Sequence, residues 1–133
     1  NGGAGDDVIA GDDGIDVLWA EDCNDLLFGG DGNDRLNGQD GDDTLTGGAG
    51  NDNLNGGDGA DIFVFDSTVN TGNDIIGGFN LTEDQIQITG MGVGDVLDTL
   101  RDKGGSAHFY LDGGGVVRLQ GVDVADVTTD LFV

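Results

Sequence analysis

Aspartate returns at every ninth residue, at Asp7, Asp16, Asp25, Asp34, Asp43, Asp52 and Asp61. Each sits in a glycine-rich run and is followed two places later by a large apolar residue: Ile9, Leu18, Leu27, Leu36, Leu45, Leu54 and Phe63. Carboxylates spaced this way on so bare a backbone suit one chemistry above others. Glycine supplies positive backbone angles and removes side chains, so a tight loop can turn several carbonyl oxygens inward beside each carboxylate. A hard divalent cation takes six or more oxygens and accepts both kinds. Catalytic chemistry finds little to work with. The one histidine, His108, lies beside Phe109 and Tyr110 on an expected strand, and H-E-x-x-H and G-x-S-x-G are both absent. Adjacent acids such as Asp42 and Asp43 are accounted for by the repeat rather than by glycosidase chemistry.

Seven nine-residue units follow one another without a gap from Gly2 to Val64: GGAGDDVIA, GDDGIDVLW, AEDCNDLLF, GGDGNDRLN, GQDGDDTLT, GGAGNDNLN and GGDGADIFV. Glycine holds the first place of all but one, where Ala20 stands, and the fourth place of all but one, where Cys23 stands. The pattern predicts a loop over the first six places and a short strand over the last three. The eighth side chain then faces inward and the seventh and ninth outward, which puts Trp19 and Phe28 on the surface. Two units make one turn of a solenoid of parallel strands, so seven stack into a roll of roughly 17 Å at the usual strand spacing.

The unit reads G-G-x-G-x-D-x-U-x, with U large and apolar, and on it residues 2–64 resemble the RTX family of calcium-binding nonapeptide repeats. The resemblance implies an all-β fold, a right-handed parallel β-roll followed by a mainly β carboxyl-terminal cap with at most one short helix, with calcium ions held between stacked loops. It also implies the ligands. One loop gives the carbonyls of its second and fourth places and its aspartate, and the loop two units on gives the carbonyls of its first and third places and its aspartate. Five complete sites result on this sequence. The first joins Gly3, Gly5 and Asp7 to Ala20, Asp22 and Asp25, and the second joins Asp12, Gly14 and Asp16 to Gly29, Asp31 and Asp34. In the third, Glu21, Cys23 and Asp25 meet Gly38, Asp40 and Asp43; in the fourth, Gly30, Gly32 and Asp34 meet Gly47, Ala49 and Asp52. The fifth joins Gln39, Gly41 and Asp43 to Gly56, Asp58 and Asp61. Two half-sites, Gly48, Gly50, Asp52 and Gly57, Gly59, Asp61, look beyond the repeats for partners, which would bring the ions to seven. Asp74, in GNDIIGGF, resembles the aspartate with which the family closes its roll and is the expected partner for one of them. The third unit has no glycine, so its loop carries strain, and the site on Glu21 and Cys23 is expected to be the weakest. The thiol of Cys23 is a soft ligand out of place among oxygens.

The charge agrees with a cation as partner. There are 27 acidic residues against 4 basic ones, a net charge of -23, which repels nucleic acid and anionic membrane surfaces alike. No apolar run approaches the roughly 18 residues of a membrane span, and nothing resembles a signal peptide at the amino end. The lone Cys23 cannot form an internal disulfide, so calcium is the expected staple of a protein at work outside the cell. Without it, so much charge on so few large apolar residues reads as an expanded chain. With millimolar calcium, the level to which extracellular calcium modules are tuned, the array is expected to fold.

After Val64 the period stops, dividing the chain into the roll, 1–64, and a second region, 65–133, that continues the roll, caps it and ends the sequence. Strands are expected at 62–65, 73–79 and 84–90, a short helix at 95–103, and a hairpin of 107–113 and 116–122 about a GGG turn. Such a cap is what the open end of a solenoid requires. The closing TTDLFV, with Asp130 before three apolar residues, resembles the uncleaved ending of proteins exported by bacterial type I secretion. These resemblances imply a non-catalytic, calcium-binding domain that folds on meeting extracellular calcium and supports the export and stability of a larger secreted bacterial protein. Its partners would be calcium, the type I secretion machinery and an upstream domain of the same polypeptide. The alternative is a calcium-dependent carbohydrate-binding or adhesion module. Against it stands the want of a basic stripe in the repeats, where only Arg35 interrupts the acids, so a glycan would need calcium to bridge or neutralise.

Overall fold

In the computed structural model, which describes residues 1–133, the nine-residue period becomes two sheets of parallel strands facing each other across one core. Strands β1 (Gly3–Ala4), β3 (Val17–Asp22), β5 (Arg35–Asp40) and β7 (Asn53–Asp58) stack in one sheet. Strands β2 (Val8–Asp13), β4 (Leu26–Asp31), β6 (Thr44–Ala49) and β8 (Ile62–Asp66) stack in the other. The register is two units, so Leu18, Leu36 and Leu54 lie side by side, as do Leu27, Leu45 and Phe63. From Leu27 onward these eighth-place side chains are fully buried, each contributing about 2 kcal/mol. Trp19 and Phe28, at ninth places, stand half-exposed on the outer faces.

The strands are longer than the expected three residues. Each full strand of the repeats runs on through the first three places of the next unit, as Val17–Asp22 does. Pairing skips the first of those places: Trp19 lies opposite Asn37, and Glu21 opposite Gln39. Backbone pairing thus reaches into what the composition suggested was loop and leaves places four to six as the turn proper.

Beyond the repeats, β9 (Asn73–Ile76) and β10 (Gln85–Thr89) add one parallel strand to each sheet, beside β7 and β8. The hairpin forms as β12 (Ala107–Tyr110) and β13 (Val116–Leu119), with β13 parallel to β9. Helix α1 spans Val93–Thr99, earlier than the expected 95–103. Val93 belongs to the same apolar stripe as Leu97 and Leu100, and all three pack on the core. The helix stops early because Arg101–Asp102 forms a further strand, β11, antiparallel to β12. The closing TTDLFV makes one 3-10 turn, Thr129–Leu131, and docks. Leu131 and Phe132 are buried, the Phe132 ring meets Phe109 edge-on at 5.7 Å, and the Val133 amide donates to the Ile86 carbonyl at 3.0 Å. No helix is long and apolar enough to cross a membrane.

Candidate metal sites between stacked loops

Every second-place and fourth-place residue of the seven units has a positive φ, from Gly3 at 105° through Gly59 at 135°. This conformation turns the carbonyls of those places along the roll axis, toward the loop two units on. The carbonyl oxygens of Asp12 and Gly14 point at Gly30 and Gly32, those of Gly30 and Gly32 at Gly48 and Gly50, and those of Gln39 and Gly41 at Gly57 and Gly59. In each case they reach the space that a Cβ would fill, which is why glycine recurs there. First-place glycine serves a different end. Beside Gly2, Gly11, Gly29 and Gly38 the missing side chain leaves room where an aspartate and the next loop's first carbonyl converge: Asp7 with Ala20, Asp16 with Gly29, Asp34 with Gly47, and Asp43 with Gly56.

The aspartates are stacked in the same register. The backbone N–H of Asp7 donates to Oδ1 of Asp25 at 2.6 Å, that of Asp16 to Asp34 at 2.9 Å and that of Asp25 to Asp43 at 2.8 Å. The pairs Asp34 with Asp52 and Asp43 with Asp61 follow at 2.8 and 2.9 Å. Third-place carbonyls join them: Asp31, Asp40, Ala49 and Asp58 accept from the N–H of Gly14, Cys23, Gly32 and Gly41 at 2.8–2.9 Å, each keeping a second lone pair. The two-unit register therefore brings together the two loops of every one of the five expected sites.

What these hydrogen bonds leave over is the decisive feature. Oδ2 of Asp7, Asp16, Asp25, Asp34, Asp43, Asp52, Asp61 and Asp74 is buried without a hydrogen-bond partner. A buried carboxylate oxygen is costly unless a proton or a cation meets it. Burial raises the pKa of Asp43 and Asp52, against the lowering effect of a backbone N–H and with neighbouring carboxylates adding to the rise. The same causes push Asp61 and Asp74 up to about 7. Nowhere do three His, Cys, Asp or Glu side chains gather, so the donor set is paired carboxylates among backbone carbonyls. That all-oxygen set fits calcium and not a thiolate- or imidazole-bound metal.

Beyond the repeats the stack continues. The Asp52 N–H donates to Asp74 Oδ1 at 3.0 Å and the Gly50 N–H to the Thr71 carbonyl at 3.0 Å, while the Gly50 carbonyl points into the space above Gly72. Asp74 thus faces the half-site of Gly48, Gly50 and Asp52. The other half-site, Gly57, Gly59 and Asp61, meets a residue that sequence reasoning passed over: the Asp61 N–H donates to Asp84 Oδ1 at 3.1 Å. The signal was there, since Asp84 precedes the core residue Ile86 by two places as each repeat aspartate precedes its large apolar residue. Asp84 differs in one respect. Its Oδ2 accepts from the Asn80 N–H at 2.8 Å, so the chain itself closes the stack at this end.

The glycine-free third unit adopts the common backbone nonetheless, with Glu21 at φ 86° and Cys23 at φ 88°. Its Ala20 methyl is accommodated, fully buried, at the first place. A residue with a Cβ held at such angles stores about 1–3 kcal/mol, part of which glycine returns through its larger unfolded entropy. Cys23→Gly is therefore expected to stabilise the calcium-loaded protein by about 1 kcal/mol, read as a higher melting temperature. A lower one would show that the thiol contributes contacts outweighing the strain.

Residues 1–36 and 28–63 match the family model of the RTX calcium-binding nonapeptide repeat, in four copies. Among curated proteins none matches. Among solved structures, the extracellular lipase LipA from Serratia marcescens is 30% identical over 95% of this chain with a TM-score of 0.79, although the chain spans only 20% of the lipase. The AlgE6R3 subunit of the Azotobacter vinelandii mannuronan C5-epimerase is 31% identical, with a TM-score of 0.69 over 98% of this chain and 80% of that one. The AlgE6R2 subunit of the same enzyme follows at 28% identity and a TM-score of 0.60, over 95% and 90% of the two chains. With its stacked aspartates, aimed carbonyls and nonapeptide match, the chain belongs to the RTX calcium-binding repeat family and is a calcium-binding β-roll.

Proposed function

We propose that this chain is a non-catalytic folding device: a roll, residues 1–64, that calcium assembles outside the cell, and a cap, residues 65–133, that closes it, together serving the export and stability of a larger secreted bacterial protein. The observation that carries the reading is the set of buried, unpartnered aspartate oxygens, with a carbonyl of the next loop converging on the same space at Asp7, Asp16, Asp34 and Asp43. Five ions fit between the repeat loops, and Asp74 supplies a sixth position with Gly48, Gly50 and Asp52. Asp84 is spent on the backbone, which argues against a seventh like the others. Bound calcium supplies positive charge and completes the coordination of these oxygens. The chain itself provides the register that stacks them.

The closing segment supports the link to type I export. In the folded protein Leu131 and Phe132 are buried against β10 and β12, so TTDLFV is open to recognition only while the chain is unfolded, as it would be at low cytosolic calcium. The test is export in a bacterium carrying a type I apparatus, with this chain as the carboxyl-terminal part of a reporter. The reporter should reach the medium, and removal of Asp130–Val133 should lower its yield at least tenfold. Export unchanged by that removal would overturn the secretion role while leaving calcium binding intact.

A further inference from the structure

In a chain of net charge -23, three of the four basic side chains and the only histidine gather on one outer sheet face. Arg118 on β13 lies directly opposite His108 on β12, and His108 directly opposite Arg101 on β11. The two guanidiniums thus share one face with only His108 between them, an arrangement that something negative would favour. The Lys103 ammonium stands 5.5 Å from the centroid of the Tyr110 ring, on the same face. Between these side chains runs a groove of about 470 Å³, lined also by Asn73, Asp74, Ile75 and Val116. It continues past Tyr110 to Arg101, whose guanidinium is anchored on the carbonyls of Asp98 and Leu100 at 3.0 and 2.7 Å.

Two atoms in the groove want partners. Nε of Arg118 and Nε2 of His108 are both buried and make no hydrogen bond. Burial and then the charges of Arg118 and Lys103 lower the pKa of His108, against a smaller opposing effect of Asp102. Asp74 turns its Oδ1 to the stacked Asp52 amide and belongs to the metal stack, so it does not serve as counter-ion to the row.

We propose that this groove is an oxyanion-binding site, in which Arg118 and Lys103 take a carboxylate or sulfate group and the Tyr110 ring and Asn73 flank the molecule that bears it. A guanidinium that makes no hydrogen bond within the chain suits planar carboxylate and tetrahedral sulfate alike. The site is separate from the five sites of the repeats and borders the sixth position at Asp74.

The test is a heteronuclear NMR titration of the whole chain in saturating calcium, with sodium glucuronate, sodium sulfate and neutral glucose as the three probes. Saturable shifts centred on the Arg118 Nε–H, His108 and Tyr110 are expected with at least one of the anions and not with glucose. Response to glucuronate alone would mark a carboxylate site and response to both a general oxyanion site; shifts with glucose, or with none of the three, would overturn the proposal. Arg118→Gln should weaken binding at least tenfold while the circular dichroism in calcium stays that of the native chain. If that variant does not fold, Lys103→Gln, at an exposed turn, serves in its place with an expected loss of about threefold or more. Unchanged affinity in a folded variant of either kind would equally overturn the assignment.

Discussion

Stripped of calcium by a chelator at pH 8, the chain should lose most of its far-UV β signal, and should regain it cooperatively as calcium enters the range of about 0.1 to 1 mM typical of extracellular modules. Magnesium, which demands a tight octahedron and gives up its water reluctantly, should leave it unfolded. The reason lies in eight buried carboxylate oxygens without partners, in two stacks of four along the roll. Ionised and unneutralised, they repel one another where little water reaches to screen them. The same argument fixes the effect of pH in the chelated protein. Asp61 and Asp74 titrate near 7 in the fold, against 3.8 for an ordinary aspartate, so the folded state binds more protons between those values. Ion-free stability should therefore grow as pH falls from 7 toward 4 and be lost again as it rises through 7. Part of the β signal should return in chelator at pH 5, and calcium should bind more weakly there because protons compete for the same oxygens. Full signal in chelator at pH 8 would show that the roll holds without an ion and that calcium merely decorates it.

How much of this was open to reading depends on the range of the interaction concerned. The roll and its register were legible because each unit repeats the same local decision: positive φ at two places, an inward apolar residue at the eighth, an aspartate at the sixth. The strand length was not, since the three places after each ninth residue look like loop by composition and pair only because the turn above offers its backbone in register. Asp84 was legible in principle, as aspartate two places before a core isoleucine, but it sits in FNLTEDQI without a single glycine to mark it. The cationic row was legible only in part, since the expected hairpin puts His108 and Arg118 on neighbouring strands whereas Arg101 was expected on a helix. Arg101, His108 and Arg118 come from three separate strands and meet only because β13 inserts between β9 and β12, parallel to one and antiparallel to the other. For that reason the basic stripe found wanting in the repeats turns up on the cap.

The strictest demand in the array falls on the fourth-place glycines, and substituting two of them should give very unequal results. Gly50 has a φ of 137°, and a Cβ built on it would overlap the carbonyl oxygen of Gly32, one of the oxygens of the fourth expected site. It is held from both sides, since its own N–H donates to the Thr71 carbonyl and its carbonyl points at Gly72. An added methyl group must therefore displace a ligand, open the stack, or both. Gly50→Ala should raise the calcium concentration at half-folding more than tenfold, or prevent folding at millimolar calcium altogether. Gly5 occupies the equivalent place in the first unit of the roll, with a φ of 107° and open space around its missing Cβ. There the only cost is backbone strain of about 1–3 kcal/mol, the kind that Cys23 already bears at φ 88°. Gly5→Ala should fold, with its calcium midpoint raised less than for Gly50→Ala. Equal effects from the two substitutions would mean that positive φ alone, and not the close approach of loop to loop, is what glycine provides. A near-silent Gly50→Ala would mean that the carbonyls of successive loops are not held close enough to share an ion.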